Sequence, residues 1–185
     1  MPEHVCPWWI GYLLASPLRK LLQDPAAILG PLVREGMTVL EPGPGMGFFT
    51  LEAARRVGPR GRVVAVDLQP RMLAGLRRRA ARAGLAGRID ARQGRPDSLG
   101  VEDLAGQVDL VLALLLVHEL PDAGRFFAEV RRALAPGGKV LVAEPSGHVS
   151  AEAFEASLSA AARAGLRRSP GPGMWRSRTA LLDAT

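Results

Sequence analysis

The stretch Glu41-Pro42-Gly43-Pro44-Gly45-Met46-Gly47 sets an acid and three alternating glycines behind an apolar run. Glycines in such a turn let the backbone approach a ligand and take dihedral angles closed to other residues. A second acid, Asp67, stands 20 residues after Gly47, at the end of the run RVVAVDL. A third apolar run, 108–117, leads into His118 and Glu119, side chains of the types that move protons in catalysis.

Which ligand the loop would hold follows from the spacing. A phosphate-binding P-loop needs a Lys-Ser/Thr pair after its glycines; Phe48-Phe49-Thr50 follows Gly47 instead. A dinucleotide fold wants G-x-G-x-x-G and an acid about 20 residues on. Asp67 satisfies the acid, but the loop reads G-x-G-x-G. A hydride-transfer enzyme also needs a proton donor, often a Tyr/Lys pair. The only tyrosine is Tyr12, outside the predicted sheet, and neither lysine, Lys20 or Lys139, is placed to help it.

The elements that must position these residues alternate along the chain. Strands are predicted at 37–41, 62–68, 88–93, 108–117 and 139–144, and helices at 49–58, 70–83, 123–134 and 151–165. The continuous apolar run 108–117 reads as a strand buried on both faces. Two closing strands, near 166–169 and 174–182, have no helix between them and predict an antiparallel hairpin at one edge. Residues 8–34 read as helical, broken at Pro17, Pro25 and Pro31. The pattern predicts a single α/β domain over 1–185 in two parts. Residues 1–35 form a helical lid segment. Residues 36–185 form a doubly wound, Rossmann-like seven-stranded sheet, mostly parallel, with helices on both faces. The motif GPGM occurs at 43–46 and again at 171–174; the second copy falls in the hairpin turn and is taken as chance.

E-x-G-x-G-x-G on the first strand, VVAVD on the second and LAPGGKVLVAE leading into the fifth resemble the class I S-adenosylmethionine (SAM)-dependent methyltransferases. The likeness is to the UbiE-like, methyltransferase type 11 kind, and runs from about residue 36 to 145 with the motifs in order. The resemblance implies SAM as cofactor. Gly43, Pro44, Gly45 and Gly47 would approach its methionine end, with Glu41 near the amino group. Asp67 would accept from both ribose hydroxyls, and Leu68 would lie against the adenine. Ala113 and Leu114, at the end of the fourth strand, would complete the site. There is one departure: many relatives carry an acid after strand three that contacts the adenine amino group, and here Arg95 stands in its place, followed by Pro96. Either Asp97 substitutes, or backbone groups hold the adenine.

Methyl transfer from a sulfonium is an in-line displacement, in which the protein supplies alignment, a dry pocket and, for a protonated nucleophile, a base. His118 is expected as the general base or a substrate contact, with Glu119 second; the alternative is that one of them caps helix 123–134 or bonds the backbone, and that the reaction needs no base. His148 is expected to line the same cleft. His4, Cys6, Trp8, Trp9 and Tyr12 concentrate near the N-terminus, and Trp8, Trp9 and Tyr12 are expected to close over the substrate. No metal is expected, since His4-x-Cys6 would be only half a site. The fourth-strand loop lacks N/D-P-P-Y, Pro-Cys and an acid cluster. Those absences argue against adenine amino, cytosine C5 and metal-dependent catechol methylation.

The 185 residues carry a net charge of +6 with a single cysteine, so an internal disulfide is excluded and a cytoplasmic, reducing location is expected. Five arginines fall in 71–84. They are expected to be the solvated face of a helix whose Leu68, Met72, Leu73 and Leu76 meet the sheet, since no aromatic residues interleave for nucleic-acid stacking. No membrane insertion is expected, and nothing sets the oligomeric state. The expected activity is methyl transfer to a small, partly apolar molecule. The rivals are a methyltransferase for RNA or protein using the arginine face, and a non-catalytic SAM-binding protein.

Overall fold

The computed structural model describes residues 23–184. His4, Cys6, Trp8, Trp9 and Tyr12, and most of the expected lid segment, lie outside the described residues. In chain order the elements are α1 (Pro25–Leu29), β1 (Thr38–Pro42), α2 (Thr50–Arg56), β2 (Arg62–Asp67), α3 (Pro70–Arg82), β3 (Ile89–Gln93), β4 (Val108–Leu114), α4 (Ala123–Ala133), β5 (Leu134–Pro145), α5 (Ala151–Arg163), β6 (Leu166–Ser169) and β7 (Ser177–Ala184).

The strands form one sheet in the order β3-β2-β1-β4-β5-β7-β6. β1 to β5 run parallel, and β7 lies antiparallel to both β5 and β6. The expected seven-stranded, doubly wound sheet with a terminal hairpin is therefore the fold observed. Alternation along the strands decides which helix covers which face. Leu40, Val111, Ala113, Val140 and Val142 join Phe126, Phe127 and Val130 of α4 and Phe154 and Leu158 of α5. Val39, Leu110, Leu112, Leu141 and Ala143 join Ile28 and Leu29 of α1 and Leu51, Ala53 and Ala54 of α2 on the other face. Strands buried on both sides have no polar face to spare, which is why β4 is apolar throughout from Leu110 to Leu114, while Asp109 near its start accepts from Thr38 N at 2.8 Å. Phe127 is fully buried, and its truncation to Ala would cost about 3–5 kcal/mol.

The chain begins its sheet at β1, moves outward to β3, then returns across β1 to β4. The carboxyl ends of β1 and β4 therefore part at a reversal point, where open α/β sheets bind ligands.

Three expectations differ locally from the structure. β4 ends at Leu114 rather than 117: Leu115 takes a left-handed φ of 57° after its N–H reaches the Ala143 carbonyl at 2.7 Å, and Val117–Glu119 form a 3₁₀ turn. β5 begins at Leu134, five residues early. Val108 pairs Leu134 and Leu110 pairs Lys139, so the Pro136-Gly137-Gly138 turn is absorbed as an irregularity inside the strand. Leu68 does not face the core with Met72, Leu73 and Leu76, but is 38% exposed beyond β2. Arg71, Arg78 and Arg82 do lie on the exposed side of α3.

Candidate active site

The glycine loop joins β1 to α2 at the reversal point, and Gly43, Gly45 and Gly47 all have positive φ, at 68°, 54° and 84°. Two of them serve opposite purposes. A Cβ at Gly47 would stand 2.4 Å from Leu76 Cδ1, so the loop is packed tightly onto α3 there. A Cβ at Gly45 would meet no atom within 4 Å, so the loop is open at that point. α3 holds the loop in further ways: the Arg79 guanidinium donates to the Met46 carbonyl, and the Met46 side chain sits where a Cβ on Gly75 would approach to 2.9 Å. Burial lowers the Arg79 pKa, with Arg55 nearby acting the same way.

Asp67 closes the loop from the end of β2. Its Oδ2 accepts from Gly45 N at 3.2 Å and its Oδ1 from Gln69 N at 2.9 Å. Each carboxylate oxygen keeps a lone pair for a further donor. Burial raises its pKa against the pull of these amides. Glu41, at the end of β1, is 3% exposed. Burial pushes its pKa up to about 7; the Thr50 hydroxyl opposes this and the Asp67 charge adds to it. The help from Thr50 falls short of a formed hydrogen bond, since Glu41 Oε2 and Thr50 Oγ1 are both buried without a partner. A buried acid short of donors is costly unless a ligand supplies one.

Across the crevice, the ends of β4 and β5 are joined by a side chain. Glu144 is 1% exposed. Its Oε1 accepts from Val117 N at 2.7 Å and its Oε2 meets His118 Nδ1. His118, with its side chain 30% exposed, is thus fixed over the end of β4. Glu119 lies in the same 3₁₀ turn. Neither residue caps the following helix: Asp122 does so, accepting from Arg125 N at 2.9 Å. Ala113 and Leu114 are buried at the end of β4.

Arg95 and Pro96 lie in a tight exposed turn closed by Arg95 N to Ser98 O at 3.0 Å and Ser98 N to Arg95 O at 3.2 Å. Asp97 faces Arg125 of α4 at 3.6 Å. Gly94 N ties the turn to the Asp67 carbonyl at 3.1 Å. His148 is exposed in the loop after β5. That loop is bound to the start of β7, since Ser146 N and Oγ both donate to the Arg176 carbonyl, at 3.0 and 2.9 Å. Beside it, Trp175 is 54% exposed with the Arg176 guanidinium 5.3 Å from its ring centre.

Glu41, Gly43, Gly45 and Asp67 thus converge on one side of the reversal point and His118 on the other. Sequence reading missed Glu144, Thr50, Arg79 and Trp175. For Glu144 a signal existed, an acid closing the apolar run KVLVAE. For Arg79 none did, because it lies among arginines of identical type.

These residues fit SAM. Glu41 Oε2 lacks a donor, which a cationic amino group supplies. Gly45 leaves room for a ligand against the backbone, and Asp67 keeps acceptor capacity for hydroxyls. Among the described residues no cluster of His, Cys, Asp and Glu could hold a metal ion, and no helix is long and apolar enough to cross a membrane.

Comparison with known proteins agrees with this geometry. Residues 33–175 match the family described as "Methyltransferase domain". The ubiquinone/menaquinone biosynthesis C-methyltransferase UbiE of Idiomarina loihiensis is 33% identical over 64% of this chain and 47% of its own. The ribosomal protein L11 methyltransferase of Pelotomaculum thermopropionicum is 37% identical over 85% of this chain and 47% of its own. The chain spans about half or less of the length of the curated relatives it matches. A SAM-dependent methyltransferase of Aquifex aeolicus shares the fold, with a TM-score of 0.84 at 24% identity, covering 97% of this chain and 98% of that one. The glycine loop, the two acids and the family match lead to one conclusion: the chain belongs to the class I SAM-dependent methyltransferases.

Proposed function

We propose that this chain transfers the methyl group of SAM to a small, partly apolar molecule. The observation that carries the cofactor side is Glu41, a buried acid left short of a donor beside an open glycine loop. Bound SAM would supply an electrophilic methyl on a sulfonium. The protein's part is then to hold and align. Glu41 accepts from the amino group, the loop amides face the carboxylate end, and Asp67 takes the ribose hydroxyls. Leu68, exposed beyond β2, lies against the adenine. With Asp97 beside Arg125, the adenine amino group is left to backbone acceptors of the 94–98 turn.

On the acceptor side the candidates are His118 after β4, His148 after β5 and Trp175 before β7, whose start pairs with the end of β5. An exposed tryptophan suits an apolar ring, and the likeness to UbiE supports a small acceptor. A protein acceptor is the second reading, favoured by the likeness to the ribosomal protein methyltransferase over 85% of this chain.

Incubation with methyl-labelled SAM, small phenols, quinols and thiols, and separately with cell protein and RNA, tests this. Label in a small extractable product is expected. Label in protein or RNA alone would overturn the small-acceptor reading.

A further inference from the structure

We propose that Glu144 positions His118 as a general base, and that the acceptor therefore attacks through a weakly acidic hydroxyl, phenolic or enolic. The proposal rests on the methyltransferase reading above and names its substrate class.

The pair is built where a carboxylate is otherwise costly. Glu144 is 1% exposed, at the end of a strand buried on both faces. A buried acid persists where donors satisfy it. One donor is the Val117 amide, which fixes the 3₁₀ turn that carries His118. The other is the His118 ring, through Nδ1. An ionised carboxylate only accepts, so Nδ1 is the donating nitrogen of this pair, and in the neutral ring Nε2 is then the nitrogen with the lone pair. Among the described residues Nε2 has no hydrogen-bond partner, and the side chain is 30% exposed. In its neutral form the ring therefore offers an oriented nitrogen that can take a proton at the end of β4, at the reversal point opposite Glu41 and Asp67. The arrangement follows the general logic of an acid holding a histidine by one nitrogen so that the other takes a proton.

Such a base is idle for an acceptor with a lone pair already free, and useful for a hydroxyl, which attacks poorly until its proton leaves. In the step, the hydroxyl proton passes to His118 Nε2. The oxygen lone pair forms the new O–CH₃ bond. The S–CH₃ bond breaks, and its electron pair stays on sulfur as the thioether of S-adenosylhomocysteine. The positive charge formerly on sulfur ends on the imidazolium, facing the Glu144 carboxylate.

The test uses the whole chain with ¹⁵N-labelled histidine, wild type and the variants Glu144→Gln and His118→Asn; the latter assigns the His118 signals. The Nδ1–H tautomer is expected in the wild type, and the Nε2–H tautomer would overturn the pairing whatever the acceptor. Rates are then compared on two phenols, one protonated and one already ionised at the working pH. Both variants are expected to lose roughly 100-fold on the protonated phenol and less than tenfold on the ionised one. Equal losses on both would reduce the pair to a structural role and overturn the proposal. Transfer to amines or thiols with none to hydroxyls would overturn the acceptor class. Binding of S-adenosylhomocysteine, measured by calorimetry, keeps the two readings apart. Absence of binding by the wild type sinks the methyltransferase reading itself. Loss of binding in Glu144→Gln alone signals misfolding, and His118→Asn then carries the rate comparison.

Discussion

Two glutamates lie buried at the mouths of parallel strands in this sheet, and they are treated oppositely. Glu144, at the end of β5, has both oxygens engaged, by the Val117 amide and the His118 ring. Glu41, at the end of β1, leaves Oε2 without a partner, and burial pushes it up to about 7. The backbone around them differs in the same sense. The left-handed positions in the loop after β1 are glycines, 43, 45 and 47, while those just after β4 and just before β7 are Leu115 at 57° and Arg176 at 52°. Glycine takes such angles freely, whereas other residues need surrounding contacts to hold them there. One half is thus open backbone with an acid awaiting a donor. The other is a packed wall in which an acid holds a base in place.

The contrast is broken most severely by removing the satisfied acid. Glu144→Ala strands a buried amide and the His118 ring, and should cost about 3–4 kcal/mol of stability, read by urea unfolding. Removing the unsatisfied acid should do the reverse. The Glu41 pKa is raised from 4.5 to about 7 on folding, so its contribution is fully present below pH 4.5 and is lost as pH rises through 7. The ligand-free protein should lose about 3 kcal/mol across that window. Glu41→Gln should flatten the dependence and unfold later at pH 8, while S-adenosylhomocysteine binding weakens more than tenfold. An unchanged pH profile in the variant would mean that Glu41 is not the acid responsible.

A smaller effect is expected at Asp67, whose amide bonds from Gly45 and Gln69 survive only in part without the carboxylate. Asp67→Ala should weaken S-adenosylhomocysteine at least tenfold, about 1.4 kcal/mol, by calorimetry. Unchanged affinity would remove the ribose from this residue. The smallest effect is expected at the strained wall. Arg176→Gly should relieve a left-handed angle and raise stability by up to about 1 kcal/mol, seen as a higher melting temperature. A loss instead would show that the stacking of Arg176 on Trp175 outweighs the strain.

The order of strands and helices was legible because apolar runs of period two and helical stripes are local facts. MTVLE and VVAVD fold close to how they read, and VDLVLALLLV does so as far as Leu114. The glycine loop and Asp67 were legible for a similar reason, since a turn after a strand and an acid at the end of the next are set by neighbours in the chain. His118 was legible as a residue type at a strand end. Its partner was not, because Glu144 lies 26 residues away and meets it only through the pairing of β4 with β5. Leu68 was misplaced because helix periodicity does not say where the helix begins: the chain leaves β2 at Asp67 and carries Leu68 out past the end of the strand. Arg79 and Arg78 are indistinguishable in sequence, and only the packing of α3 against the loop brings the first to the Met46 carbonyl.

By itself the sequence determined the alternation of elements, the open glycine turn and the identity of the acids that close it, since each depends on chemistry within a few residues. Only the tertiary structure decided which buried acid is satisfied and which is left waiting. Hydrogen-bond satisfaction in a core depends on what neighbouring strands bring within about 3 Å, and that is a property of the sheet rather than of the chain.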